Sequence, residues 1–174
     1  MIKNELGDDW HKKFSSFNKV PVAAASIGQV HHAILPSGEP VAVKVQYPGV
    51  AKSINSDLAT LRSLVLLGGL LPKGLYLDNT IRVARVELAW ECDYKRESEN
   101  SERMRELLKL HEGFKVPKVI KELSTKQVLT TEFVEGLPIG ETGSLPQAVR
   151  DSVCSKRIYN EWLLHKVDAL FHLR

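Results

Sequence analysis

The stretch that most constrains the fold runs from Val22 to Val45, V-A-A-A-S-I-G-Q-V-H-H-A-I-L-P-S-G-E-P-V-A-V-K-V. Two apolar runs flank Pro36-Ser37-Gly38, and turn chemistry between β-rich runs predicts a hairpin. A small-residue loop, Ala23-Ala24-Ala25-Ser26, is expected ahead of the first strand. In the run Val41-Ala42-Val43-Lys44-Val45, period-2 alternation puts Val41, Val43 and Val45 on one face, with Ala42 and Lys44 on the other. A lysine in a strand is most often a solvated residue or an edge charge that discourages aggregation. Beside Ala42, under a loop of tiny side chains, its ammonium is also placed to meet a nucleotide phosphate.

At 174 residues the chain is long enough to bury a sizeable core, and its length suggests one domain. The net charge of +3 is mild, and no Lys/Arg cluster interleaves with aromatics, so nucleic-acid binding is not supported. Cys92 and Cys154 are too few and too distant for a disulfide framework and have no metal-ligand spacing, so both are expected reduced. The longest apolar run, Leu64 to Leu71, is interrupted by Gly68-Gly69 and is too short to span a bilayer. Met1-Ile2-Lys3-Asn4-Glu5 carries acid early and lacks the Arg- and Ser-rich character of an organelle presequence. No targeting segment is expected in this chain, and an internal start or a truncated transcript is the expectation that follows.

Residues 1–20 read as a helical lead-in, with Leu6, Trp10 and Phe14 at i, i+4, i+8 and Trp10 as a core anchor. Residues 21–136 form the main lobe. Tyr47-Pro48-Gly49 ends the second strand. A helix then carries Val50, Ile54, Leu58, Leu61 and Val65 on one face and stops at Gly68-Gly69, so about 50–77 is a helical insert. The turn Pro72-Lys73-Gly74 leads to Asp78, an N-cap for a long helix reaching about Leu110, with Gly113 beyond its end. Ile81, Ala84, Leu88 and Cys92 share one face of that helix, and Val83, Val86 and Trp90 the opposite one, which predicts packing between neighbours. Glu91 falls beside the Ala84 stripe, facing inward, where an unpaired carboxylate would be costly. Lys44 is the preferred partner, with Arg85 or Lys95 of the same helix as alternatives. Lys95, four residues on, is geometrically possible. Val116 to Ile120 and Gln127 to Val134 read as a further strand pair around Leu123-Ser124-Thr125, ended by Glu135-Gly136. Gly140 to Gly143 is a linker. Ser144-Leu145-Pro146-Gln147 reads as a capping box opening a helical tail, 144–174, with Leu163, Val167, Leu170 and Phe171 as its apolar stripe.

Three strings carry a resemblance: A-A-A-S-I-G-Q-V-H, V-A-V-K-V-Q-Y-P-G-V and E-L-A-W-E-C-D-Y-K-R-E. They resemble the UbiB family of atypical kinases, also called aarF-domain-containing kinases, and in particular its animal mitochondrial branch associated with coenzyme Q biosynthesis. The match runs from about Glu5 to about Cys154. It implies an α+β fold: a protein-kinase-like N-terminal lobe with an antiparallel sheet, a long packed helix and a helical insert, and about five strands is the common number for sheets of this kind. It also implies a binding site for ATP. Ala23, Ala24, Ala25 and Ser26 would replace the glycine-rich loop of ordinary kinases. Alanine restricts the φ > 0 conformations that let glycine backbones wrap phosphates, so altered nucleotide handling is expected. Lys44 would bind phosphate and Glu91 would hold it, as kinases pair a strand lysine with a helix glutamate. Glu97 resembles a second family acid. Thr131 to Val134 would be the hinge, with Glu132 and Val134 offering backbone groups to the adenine edge.

The resemblance also marks what is missing. The family's helical K-x-G-Q motif is absent, Ile27-Gly28-Gln29 being part of the strand after the Ala-rich loop. After about residue 155 the chain departs from the family, whose catalytic aspartate, asparagine and D-F-G motif are not found. Five residues after Asp168 stands Leu173, so Asp168, His165 and His172 read as surface residues of a helix. Magnesium, used by the full-length family, lacks its protein ligands here, and no ATP turnover by this chain alone is expected. The implied function is the ATP-binding lobe of a UbiB-type kinase-like ATPase, a phosphotransferase by class, incomplete for catalysis and implicated in ubiquinone biosynthesis. By resemblance it works on the matrix side of the mitochondrial inner membrane, with coenzyme Q-biosynthesis proteins and the membrane surface as partners. The other reading is a non-catalytic module that docks a protein or membrane through the apolar area a half-kinase exposes.

Overall fold

The structure is a computed structural model that describes residues 1–67, 76–111, 113–136 and 139–155. The chain divides into two compact units, Met1–Phe133 and Val134–Arg174. In the first, the expected hairpin is present. β3 (Gly28–Ile34) and β4 (Pro40–Gln46) pair antiparallel from Gly28 opposite Gln46 to Ile34 opposite Pro40. The turn closes with Gly38 at φ 88°, its N–H donating to the Leu35 carbonyl at 2.9 Å. β5 (Val128–Glu132) pairs with the other edge of β4, while β1 (Ser16–Phe17) and β2 (Ala23–Ala25) both pair with β3, completing five antiparallel strands.

Alternation along β4 sorts the sheet into two faces, as the sequence predicts. Val41, Val43 and Val45 are buried with Phe14, Ala33, Leu123 and Val128. Burying each such valine stabilises by roughly 1.5–3 kcal/mol relative to exposure. This face is covered by the N-terminal segment. The lead-in is two short pieces, α1 (Ile2–Leu6) and a 3-10 turn (Trp10–Lys13), separated at Gly7 with φ 91°, and the chain then continues into β1. Trp10 packs on the core as expected, its ring edge-on to Phe17 at 5.0 Å and to Phe14 at 6.4 Å.

The opposite face carries Lys44 beside Leu129 and is closed by Tyr94, Val119 and Ile27. Gly49, at φ 86°, starts α2 (Val50–Leu67), which packs on α3 (Leu77–Glu91) through Ile54, Leu58, Ile81 and Cys92. The insert lies against α3 rather than extending the sheet. Ile54 and Leu58 of its stripe are buried, but Leu61 is 52% exposed. Gly68-Gly69 and the Pro72-Lys73-Gly74 turn lie outside the described residues.

The single helix expected from Asp78 to Leu110 is two helices, α3 and α4 (Tyr94–Leu108). Asp78 is not the N-cap; Tyr76 holds that position, and the Asp78 carboxylate pairs with Arg62 Nε at 2.8 Å. The break has two tertiary causes and a local one. Gln46, buried in the sheet, donates its amide to the Cys92 carbonyl at 3.0 Å. The Tyr94 N–H donates to the Lys126 carbonyl at 3.2 Å. Between them Asp93 turns out of helical space (φ −101°, ψ 87°), and its carboxylate caps α4 by accepting from the N–H groups of Lys95 and Arg96.

The expected strand Val116 to Ile120 is reduced to one bridge, Val119 opposite Thr131. Pro117 has no N–H to give a ladder, and the chain goes straight into a 3-10 turn, Lys121–Leu123. That turn is tied to β5 by the Thr130 hydroxyl, which donates to the Leu123 carbonyl at 2.7 Å. In the second unit a 3-10 turn, Ile139–Ser144, occupies the expected linker, so Ser144 ends that turn. A helix over 147–155 starts with the Pro146 carbonyl accepting from the Val149 and Arg150 N–H groups. The tail beyond 155, with His165, Asp168 and His172, lies outside the described residues. Cys92 and Cys154 are both free thiols.

Candidate functional site

Lys44 is where sheet and helices converge. β4 points its side chain away from the valine core, and α4 meets it with two groups from one helical face, Tyr94 and Glu97, three residues apart. Lys44 Nζ donates to Glu97 Oε1 at 2.8 Å and to Oε2 at 2.9 Å, and it stands 4.6 Å from the Tyr94 ring centroid. The pair is half-buried, with side-chain exposures of 26% for Lys44 and 38% for Glu97. Tyr94 is wholly buried, and its hydroxyl has no hydrogen-bond partner among the described residues. Burial, reinforced by the nearby Glu97 charge, pushes the Tyr94 phenol up, and the Gln46 amide beside it offsets this only slightly.

The Lys44 partner is therefore Glu97 and not Glu91. The preference for Glu91 rested on an unbroken helix. With the chain interrupted at Asp93, Glu91 ends α3 and is exposed instead of facing inward. Its Oε2 accepts a hydrogen bond from the Ser26 hydroxyl at 3.1 Å. The bond it makes is thus to Ser26 and not to Arg85 or Lys95, the alternatives along the helix. Glu97, noted in the sequence only as a second acid, is the residue underestimated there. The signal that finds it is Asp93, a good N-cap with Glu97 at the fourth position of the new helix.

The Ala-rich segment is likewise not a loop. Ala23, Ala24 and Ala25 form β2, each opposite a β3 residue, Ala25 facing Gly28. Only Ser26 and Ile27 turn the chain, and no non-glycine residue among those described has positive φ. An extended strand of small residues explains the alanines better than a phosphate-wrapping loop does. Ser26 remains at the site, since its turn and the Ser26–Glu91 bond hang the hairpin over the cleft. Gly28 is fixed by close approach: a Cβ there would run into the Val45 carbonyl oxygen.

The cleft has a volume of about 490 Å³, within the range of small-molecule sites. Ser26, Lys44, Glu91 and Glu97 line it together with Trp90 and Arg96. Ala23, Ala24, Ala25, Glu132 and Val134 do not. The Glu132 carboxylate is taken by Lys115 at 2.6 Å and by the Lys118 N–H at 3.4 Å, and the Lys115 hydrogen bond holds it below the usual carboxylate range. In the expected hinge, the Glu132 N–H donates to the Lys118 carbonyl and the Phe133 N–H to Pro40. Val134 belongs to the second unit and is 41% exposed. Among the described residues no helix is long and apolar enough to cross a membrane, and no group of three or more His, Cys, Asp or Glu is placed to hold a metal ion.

Residues 1–167 match the ABC1 atypical kinase-like domain. The chain is 47% identical over 154 residues to the mitochondrial atypical kinase COQ8B of Danio rerio, covering 88% of this chain and 25% of that protein. It is 50% identical over 157 residues to the mitochondrial atypical kinase coq-8 of Caenorhabditis elegans, covering 90% of this chain and 21% of that one. A solved structure from Mycobacterium tuberculosis, the complex of Rv3197 with erythromycin, is similar with a TM-score of 0.65 at 37% identity. That likeness covers 80% of this chain and 35% of the other. The chain thus spans about a quarter of the length of the curated relatives it matches.

Proposed function

The chain belongs to the ABC1 atypical kinase-like family, and from that premise we propose that its first unit is a nucleotide-binding lobe that anchors ATP phosphates on Lys44. The supporting observation is the bidentate Lys44–Glu97 pair set in the wall of a cleft. A lysine held at two points presents its remaining N–H in a fixed direction, which suits phosphate binding as a point charge. Glu97 takes the part of the helix glutamate that kinases use to hold this lysine. Ser26 and its turn supply the cover over the phosphates. The role in the cell follows the relatives, which are named as mitochondrial atypical kinases. With the resemblance to the coenzyme Q branch, this supports a place in mitochondrial ubiquinone biosynthesis, on the matrix side of the inner membrane.

The test is thermal unfolding with and without ATP or ADP, each in the presence and absence of magnesium. A ligand at about 100 times its Kd adds about 2.7 kcal/mol, which raises the midpoint by several degrees. The expected result is such a rise in the natural chain and none in Lys44→Met. A midpoint indifferent to nucleotide, or a rise that survives Lys44→Met, overturns the reading.

A further inference from the structure

We propose that Arg96 is a second anion-reading group of this cleft, selecting ligands that carry two or more phosphates. The inference rests on the nucleotide reading above and goes beyond it. Lys44 has its charge matched by two carboxylate oxygens of Glu97. Arg96, the preceding residue on α4, has no such match: among the described residues no carboxylate lies within ion-pair distance of its guanidinium. It is instead laid on the Trp90 indole, with Cζ 4.0 Å from the ring centroid. Both side chains line the cleft with Lys44.

That arrangement leaves the guanidinium ready for a ligand. Stacking uses the planar face of the group, whereas its five N–H donors point outward around the rim. The indole thus fixes the plane without consuming a hydrogen bond, and the donors keep the fork geometry that matches phosphate oxygens. Of the two cations that line the cleft, the lysine has its charge already balanced and the stacked guanidinium does not. A monophosphate is met by Lys44 alone, while a di- or triphosphate is long enough to reach both. Trp90 also makes the capture visible, because a guanidinium drawn toward phosphate changes its contact with the indole.

The experiment titrates AMP, ADP and ATP into the natural chain, Arg96→Gln, Arg96→Lys and Lys44→Met, by calorimetry and by tryptophan fluorescence, with Trp90→Phe identifying the Trp90 signal. Losing one charge-assisted contact weakens binding about tenfold or more. Arg96→Gln is expected to lose that factor for ATP and ADP, to leave AMP within about twofold, and to lose the Trp90 response, with its thermal midpoint unchanged. Arg96→Lys is expected to recover part of the affinity. If Arg96→Gln binds all three nucleotides as the natural chain does while Lys44→Met does not, Arg96 has no such role and the nucleotide site stands. An equal loss for AMP and ATP also overturns the selection. If the natural chain binds none of them, both readings fall together.

Discussion

Lys44 lies over the face of Tyr94, its ammonium 4.6 Å from the ring centroid, so the lysine of the cleft rests on a ring that is wholly buried. Tyr94 and Glu97 come from one face of α4, and β4 brings Lys44 down between them. The ring supports the cation, and the carboxylate directs it.

Tyr94→Phe is expected to keep that support. A buried hydroxyl without a partner costs about 1–3 kcal/mol, so its removal should leave urea unfolding unchanged or raise stability by up to about 1 kcal/mol. Tyr94→Ala should cost about 3–5 kcal/mol through the cavity it leaves. The alkaline limb gives a second check. The phenol is raised in the fold, so its contribution is complete below the unfolded value of about 10 and is lost as pH rises beyond it. Tyr94→Phe should therefore resist alkaline unfolding better than the natural chain.

A double-mutant cycle separates the two acids. The Lys44–Glu97 pair is partly exposed, which places its coupling between the surface range of about 0–1 kcal/mol and the larger losses of buried pairs. Chemical denaturation of Lys44→Met, Glu97→Gln and the double variant should give about 1–2 kcal/mol. The same cycle with Glu91→Gln should give a coupling near zero. Equal couplings for the two acids would contradict the geometry.

Gly28→Ala should destabilise the hairpin by about 2 kcal/mol or more, because the added methyl can be placed only by moving β3 off β4. Hydrogen exchange at the β3–β4 amides should speed up with it. Ala25→Ser, at an equally small position on the partner strand, is expected to change stability by less than about 1 kcal/mol.

At acid pH the sensitive contact is Glu132 with Lys115. Its carboxyl is lowered in the fold, so the stabilisation is present above the unfolded carboxylate value of about 4.3 and is lost as pH falls through the lower folded value. Glu132→Gln should flatten the acid limb of the stability profile, read by thermal midpoints between about pH 5 and 3.

The hairpin, its turn at Gly38 and the valine face were legible because alternation and turn residues are local signals. The split between α3 and α4 was not. Cys92-Asp93-Tyr94 fits a helical pattern by itself. What breaks it are Gln46 and the Lys126 carbonyl, 46 and 32 residues away in the chain. The choice of acid depends on that break, so alternation locates Lys44 in its strand while local pattern does not tell Glu97 from Glu91 as its partner. Ala23 to Ala25 misled in a different way. Short unbranched residues read as loop by composition, but opposite β3 their backbones pair without any side chain having to pack.

Asp93 makes the cleft a place where two rods meet at a joint. Trp90 and Glu91 stand at the end of one rod, and Tyr94, Arg96 and Glu97 at the start of the next. A ligand bridging Lys44 and Arg96 while touching the α3 side acts as a splint across that joint. Occupancy would then stiffen the α2–α3 pair as well as the residues in contact, although neither of those helices contributes the lysine or its partner.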